Sequence, residues 1–195
     1  MNATAATPMR LALIGNPNCG KTALFNQLTG SRQKVANYAG VTVERKEGRL
    51  LSASGRSYAV LDLPGAYSLH AASLDEAITR DLCRGFLPGE PAPDVLVCVV
   101  DATNLRLHLR FALEVRELGK PMIVAVNMAD VARRRGITVD LGLLERELGV
   151  PVVETVAVQH NGAKALVEQG APEEVRSFLA ERFAQISENL RNVKD

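Results

Sequence analysis

The segment Gly15-Asn16-Pro17-Asn18-Cys19-Gly20-Lys21-Thr22 constrains this chain more than any other. It matches the pattern GxxxxGK[ST], which arises by chance about once in 80,000 random starts. Its context carries equal weight. Met9 to Gly15 (MRLALIG) is a short apolar run ending in glycine, read as a strand, and Gly20 to Leu28 reads as a helix. A glycine-rich turn between strand and helix lets backbone N–H groups point inward and adds the positive end of a helix dipole, so it suits phosphate. Lys21 is expected to reach the β- and γ-phosphates and Thr22 to ligate Mg²⁺, with Ala23 following in the first turn of the helix.

The remaining pattern alternates strands with helices. Val41 to Leu51 and Ser57 to Leu63 read as strands separated by the turn residues Ser52 to Arg56, and the first is charged and alternating, as an edge strand is. Ser31 to Gly40 shows no clear period. Leu74 to Phe86 reads as a helix and Pro88 to Pro93 as a loop. Asp94 to Asp101 (DVLVCVVD) and Pro121 to Asn127 (PMIVAVN) are continuous apolar runs, as expected of strands buried on both faces. Asn104 to Leu118 is amphipathic, with Leu105, Leu109, Ala112 and Leu113 expected to face inward and Gly119 ending it. Leu141 to Leu148 reads as a helix, Pro151 to Val158 as the last strand, and Asn161 to Gln169 as the start of a further helix. The expected fold is a doubly wound, mainly parallel α/β sheet flanked by helices, the P-loop NTPase or Ras-like G domain, over residues 9–169. Residues 170–195 are expected to add one amphipathic C-terminal helix. Pro172, Glu173 and Glu174 open it, and Val175, Phe178, Leu179, Phe183, Ile186 and Leu190 mark its apolar stripe.

Composition removes several alternatives. The net charge of +1 offers no global field for nucleic acid or anionic lipid, and the cluster Arg133 to Arg135 reads as a solvated loop. Three scattered cysteines and three scattered histidines give neither a disulfide framework nor metal-ligand spacing. The longest apolar run, Val95 to Val100, is far short of the roughly 20 residues that span a bilayer, and the amino terminus does not read as a secretory signal.

Ligands in such sheets bind beyond the carboxyl ends of the strands, and three further motifs fall there. Asp62-Leu63-Pro64-Gly65 ends a strand; its carboxylate suits an Mg²⁺ shell and the Gly65 N–H a γ-phosphate. Asn127-Met128-Ala129-Asp130 ends another. Asp130 can accept from guanine N1–H and the exocyclic amine, a donor pair adenine lacks, while the apolar stem of Met128 can cover the base. Thr155-Val156-Ala157-Val158 is the expected base-flanking loop, with Ala157 where serine is common and a backbone N–H available to guanine O6. Thr42, in the stretch Gly40-Val41-Thr42, is placed to complete an Mg²⁺ shell. The residue after Gly65 is Ala66, so the water-orienting glutamine of signalling GTPases is absent.

Gly15 to Gly48 (GNPNCGKTALFNQLTGSRQKVANYAGVTVERKEG) resembles the opening of the FeoB family of ferrous iron transporters, within the TrmE-Era-like P-loop GTPases. So do LDLPGAYSL (Leu61 to Leu69), SLDE (Ser73 to Glu76), VVDATNL (Val99 to Leu105) and VNMAD (Val126 to Asp130). The resemblance covers roughly residues 9–162. It implies a Mg²⁺-dependent GTPase domain on the cytoplasmic side of the bacterial inner membrane, controlling an Fe²⁺-conducting membrane domain. It also implies a K⁺ held beside the phosphates by Asn18, and switch segments at Ser31 to Thr42 and Asp62 to about Ser73. Expected partners are GTP and GDP, the membrane transport domain of the same full-length protein, small Feo accessory proteins and a second copy of the chain, with no nucleic acid. Relatives carry a helical domain of several helices after the G domain; here only the stretch after Gly170 remains for it. Two other readings stay open: a nucleotide-sensing switch with negligible turnover, and a soluble ribosome- or tRNA-linked GTPase.

Overall fold

A computed structural model describes residues 8–30, 33–51, 57–158 and Leu166. Seven strands form one sheet in the order β2-β3-β4-β1-β5-β6-β7. They are β1 (Met9–Gly15), β2 (Gln33–Asn37), β3 (Glu44–Leu51), β4 (Ser57–Asp62), β5 (Val95–Asp101), β6 (Met122–Asn127) and β7 (Val152–Glu154). The pairs β1–β4, β1–β5, β5–β6 and β6–β7 are parallel, and β2–β3 and β3–β4 are antiparallel. The helices are α1 (Lys21–Thr29), α2 (Leu74–Arg84), α3 (Leu105–Arg116), α4 (Ala129–Arg134) and α5 (Leu141–Leu148). This is the doubly wound, mainly parallel sheet that the alternating pattern predicts.

The central strands are buried on both faces, and their side chains divide by period two into two cores. Ala12, Ile14, Leu61, Leu96, Cys98, Val100 and Val124 face one core, which Ile78 and Leu82 of α2 and Phe111 and Val115 of α3 complete. Leu11, Leu13, Val60, Val97, Val99 and Ile123 face the other, against Leu24, Phe25 and Leu28 of α1. Helix ends follow local chemistry. The Ser73 side chain accepts from Glu76 N at the start of α2, and Gly85, at φ 78°, ends it. The Asp140 carboxylate accepts from Leu143 N at the start of α5.

Several expectations need correction. Ser31 to Gly40 contains strand β2, which makes β2 the edge and β3 an inner strand. Antiparallel pairing to β3, a long-range partner, holds it rather than any local pattern. Val41 to Val43 lies in a turn in which Tyr38 N donates to Val43 O, so β3 begins only at Glu44. Helix α3 buries His108, Phe111, Ala112 and Val115, while Leu113 is 40% exposed. Arg133 and Arg134 belong to α4 rather than to a loop, and Arg135 caps it. The last strand covers three residues, Val152–Glu154, and the buried loop that follows supplies Thr155 to Ala157. The turn expected over Ser52 to Arg56, the helix from Asn161, apart from Leu166, and the helix over 170–195 lie outside the described residues. Among the described residues no helix is long and apolar enough to cross a membrane.

Candidate functional site

The β1–α1 loop wraps tightly because two consecutive bends use left-handed backbone. Asn18 has φ 65° and Gly20 φ 82°. A Cβ on Gly20 would strike Asn127 Nδ2, and one on Gly15 would lie 2.5 Å from the Val99 carbonyl oxygen. Both glycines are thus demanded by close approach of β5 and β6. Asn18 is exposed at the crest, while Asn16 and Cys19 are buried and the Asn16 Oδ1 has no hydrogen-bond partner. Burial pushes the Cys19 thiol up to about 11.

At the mouth of this loop Lys21 is buried and ion-paired with Asp62, from the end of β4. Thr22 Oγ1 donates to Asp62 Oδ2 at 2.8 Å. The Asp62-Leu63-Pro64-Gly65 segment is fixed against the phosphate loop. Leu63 N donates to Leu13 O and Ala66 N to Gly15 O, each at 3.1 Å. A Cβ on Gly65 would lie 3.1 Å from Pro17 Cγ, so that glycine packs directly on the loop. A pocket of about 420 Å³ opens here, lined by Lys21, Thr22, Thr42, Asp62, Gly65 and Asp75 among others. Thr42 lines the same pocket, exposed, two residues after Gly40 at φ 77°.

The base end is organised by Asn127, which is 2% exposed. Its Nδ2 donates to the Cys19 carbonyl at 3.0 Å, while its Oδ1 accepts from Thr155 Oγ1 at 3.2 Å and Ala157 N at 3.0 Å. One carboxamide therefore ties the phosphate loop, the Asn127–Asp130 segment and the base-flanking loop together. The Ala157 N–H, expected to face a guanine O6, is engaged by Asn127 instead. Val156 and Ala157 are buried and Val158 is 81% exposed. Met128 adopts left-handed backbone at φ 60° and opens α4, whose first turn carries Asp130.

Sequence reading missed the partners of these groups. Arg134 donates to Asp130 Oδ2 at 2.9 Å, an i,i+4 pair that a helix through Asp130 would have suggested. Arg133 pairs with Glu154 at 2.7 Å, linking α4 to β7. Glu76 accepts from Tyr67 N at 3.0 Å and Ala72 N at 2.9 Å. These amides, that of Ala72 foremost, hold its carboxyl below the usual range. The S-x-x-E spacing of Ser73 and Glu76 was the available signal for a structured turn there.

A lysine opening α1 beside a strand-end carboxylate at one extremity, and a buried asparagine tying the base side at the other, describe a nucleotide site of the P-loop kind. A family model for ferrous iron transport protein B matches residues 9–170. The chain belongs to this family. FeoB of Escherichia coli K12, an Fe(2+) transporter, is 48% identical over 162 residues, which are 81% of this chain and 20% of that protein. The chain thus spans about a fifth of the length of the curated relatives it matches. An S. thermophilus NFeoB variant solved with GDP superposes at TM-score 0.75 with 40% identity, over 84% of this chain and 61% of that one. The cytosolic domain of T. maritima FeoB in its GMPPNP form does so at TM-score 0.75 with 40% identity, over 82% and 61%. The fold is that of the FeoB P-loop GTPase domain. Membership sets aside the ribosome- or tRNA-linked reading.

Proposed function

We propose that this chain binds guanine nucleotides and hydrolyses GTP as the cytosolic G domain of a ferrous iron transporter. It would act from the cytoplasmic side of the inner membrane, on a membrane domain that admits Fe²⁺. The observation that carries the reading is the convergence of Lys21, Thr22 and Asp62 on one pocket while Asn127 joins that loop to the segment bearing Asp130. Backbone N–H groups between Gly15 and Gly20 receive the phosphates, Lys21 moves from Asp62 to the β- and γ-phosphates, and Gly65 offers its N–H to the γ-phosphate. Asp130 selects guanine over adenine. We assign the G domain to residues 9–169.

The residues suit Mg²⁺. The Thr22 and Asp62 oxygens already lie 2.8 Å apart, hard donors of the kind it takes, with Thr42 lining the same pocket. Bound there, it would neutralise charge on the transferring phosphoryl group. Asn18, exposed at the crest of the loop, suits a K⁺ that supplies positive charge beside the phosphates.

One observation favours the alternative of a switch with negligible turnover: Ala66, where a water-orienting glutamine would stand, is fully buried and carries no polar group. GTP turnover with Mg²⁺ in KCl against NaCl at matched ionic strength, beside Asn18→Ala, separates the two. Faster turnover in K⁺ that the variant loses supports the cation-assisted hydrolase; equal, very slow rates in both salts support the switch.

A further inference from the structure

Side chains hold the segment that follows Gly65. Tyr67 N and Ala72 N donate to the two oxygens of Glu76, which lies on the helix the segment runs into. The other tie is long-range. Glu114, on α3 and 45 residues along the chain, accepts from Leu69 N and Ser68 Oγ through its Oε2, each at 2.8 Å. The Ser68 hydroxyl oxygen in turn accepts from His70 N at 3.0 Å. The Glu114 side chain is 17% exposed; its other oxygen faces Arg110 at 4.0 Å, and Arg110 is almost fully in solvent. One carboxylate oxygen therefore binds two donors of the segment from a helix that does not belong to it.

We propose that Glu114 is a positioning residue: it holds residues 66–72 in the resting arrangement and thereby sets how strongly the site prefers a nucleoside triphosphate over a diphosphate. The proposal rests on the guanine-nucleotide reading above. Gly65 packs on Pro17, and Ala66 N donates to Gly15 O. A γ-phosphate that draws on the Gly65 N–H pulls on this backbone, and the residues after it must follow. Helix α3 does not follow, because Phe111, Ala112 and Val115 root it in the core. The Glu114 contacts are then made in one state only, and such a contact biases the equilibrium between states by its own worth. Hydrogen bonds to a carboxylate are among the stronger ones. Their loss favours the triphosphate state and leaves diphosphate binding in place.

The test titrates fluorescent GDP and GMPPNP against the full chain with Mg²⁺, as wild type, Glu114→Ala, Glu114→Gln and Ser68→Ala. The GMPPNP-to-GDP affinity ratio rises about tenfold in Glu114→Ala and less in the other two, with GDP affinity held within about twofold. Amide exchange at residues 67–70 accelerates in GDP-bound Glu114→Ala and matches wild type with GMPPNP. An unchanged or lowered ratio, or exchange accelerated equally with both nucleotides, overturns the proposal. Wild-type protein that binds neither nucleotide overturns the nucleotide reading and this proposal with it; wild-type binding with an unchanged ratio in the variants overturns this proposal alone.

Discussion

Lys21 and Asp62 are both buried, and each is the other's main electrostatic partner. Such a pair holds only while both members remain, since removing one strands a charge. Lys21→Ala leaves Asp62 with the Thr22 hydroxyl, so the fold survives while the site loses its mobile cation. GTP turnover is expected to fall about 100-fold or more, the usual consequence of deleting a group aimed at developing charge. Steady-state hydrolysis checked beside circular dichroism measures this; undiminished turnover with a native spectrum would remove Lys21 from the mechanism. Lys21, Asp62, Asn127 and Asp130 were legible because each sits in a short motif at a strand end. The partners of Glu114 were not, because no spacing rule ties it to Leu69 across the chain, and that of Arg134 needed a helix that the pattern left unread.

At the scale of elements, α1 rests on β3 where β3 carries no side chain. A Cβ on Gly48 would come within 2.6 Å of the Thr29 Cβ. Thr29 cannot easily yield, since it is buried and its hydroxyl donates to Phe25 O at 2.8 Å. Gly48→Ala is therefore expected to cost about 1–3 kcal/mol by overpacking. The added change Thr29→Ala removes the Cγ2 and hydroxyl that such a Cβ would also strike but keeps the Cβ at 2.6 Å, so thermal denaturation of the double variant should show only partial recovery over Gly48→Ala. A double variant melting lower still would place the strain elsewhere. The same scale shows where pattern reading succeeds. Strands β5 and β6 are continuous apolar runs and were plain. Strand β2 was not, because Lys34 to Asn37 are exposed and only pairing with β3 makes them a strand. Helix α4 escaped because six residues opened by a left-handed Met128 carry too little period to see.

Across the whole molecule the two cores share a chemical weakness at high pH. Cys19 lies in one core, and Cys83 and Cys98 in the other. Burial raises all three thiols from 9.0, Cys19 to about 11 and Cys83 to about 12, with Cys98 higher still. Folded pKa values above the unfolded ones favour the protonated, folded form; this stability is complete below about pH 9 and is lost as pH rises through about 11 and 12. Urea midpoints should fall steeply between those limits, and Cys→Ser at position 83 should flatten the fall. An equally steep alkaline loss in that variant would assign it to other groups. The doubly wound class was legible at this scale because alternation of strand and helix leaves few topologies open. The exact order of edge strands was not, being set by antiparallel pairing.

Asn127 joins three loops through one carboxamide that water barely reaches. A keystone of this kind moves the burden of shape from many residues onto one. The last loop answers it with two donors set two residues apart, the Thr155 hydroxyl and the Ala157 main-chain N–H. Remove the keystone and both abutments of the arch come loose at once, the phosphate loop on one side and the base-flanking loop on the other.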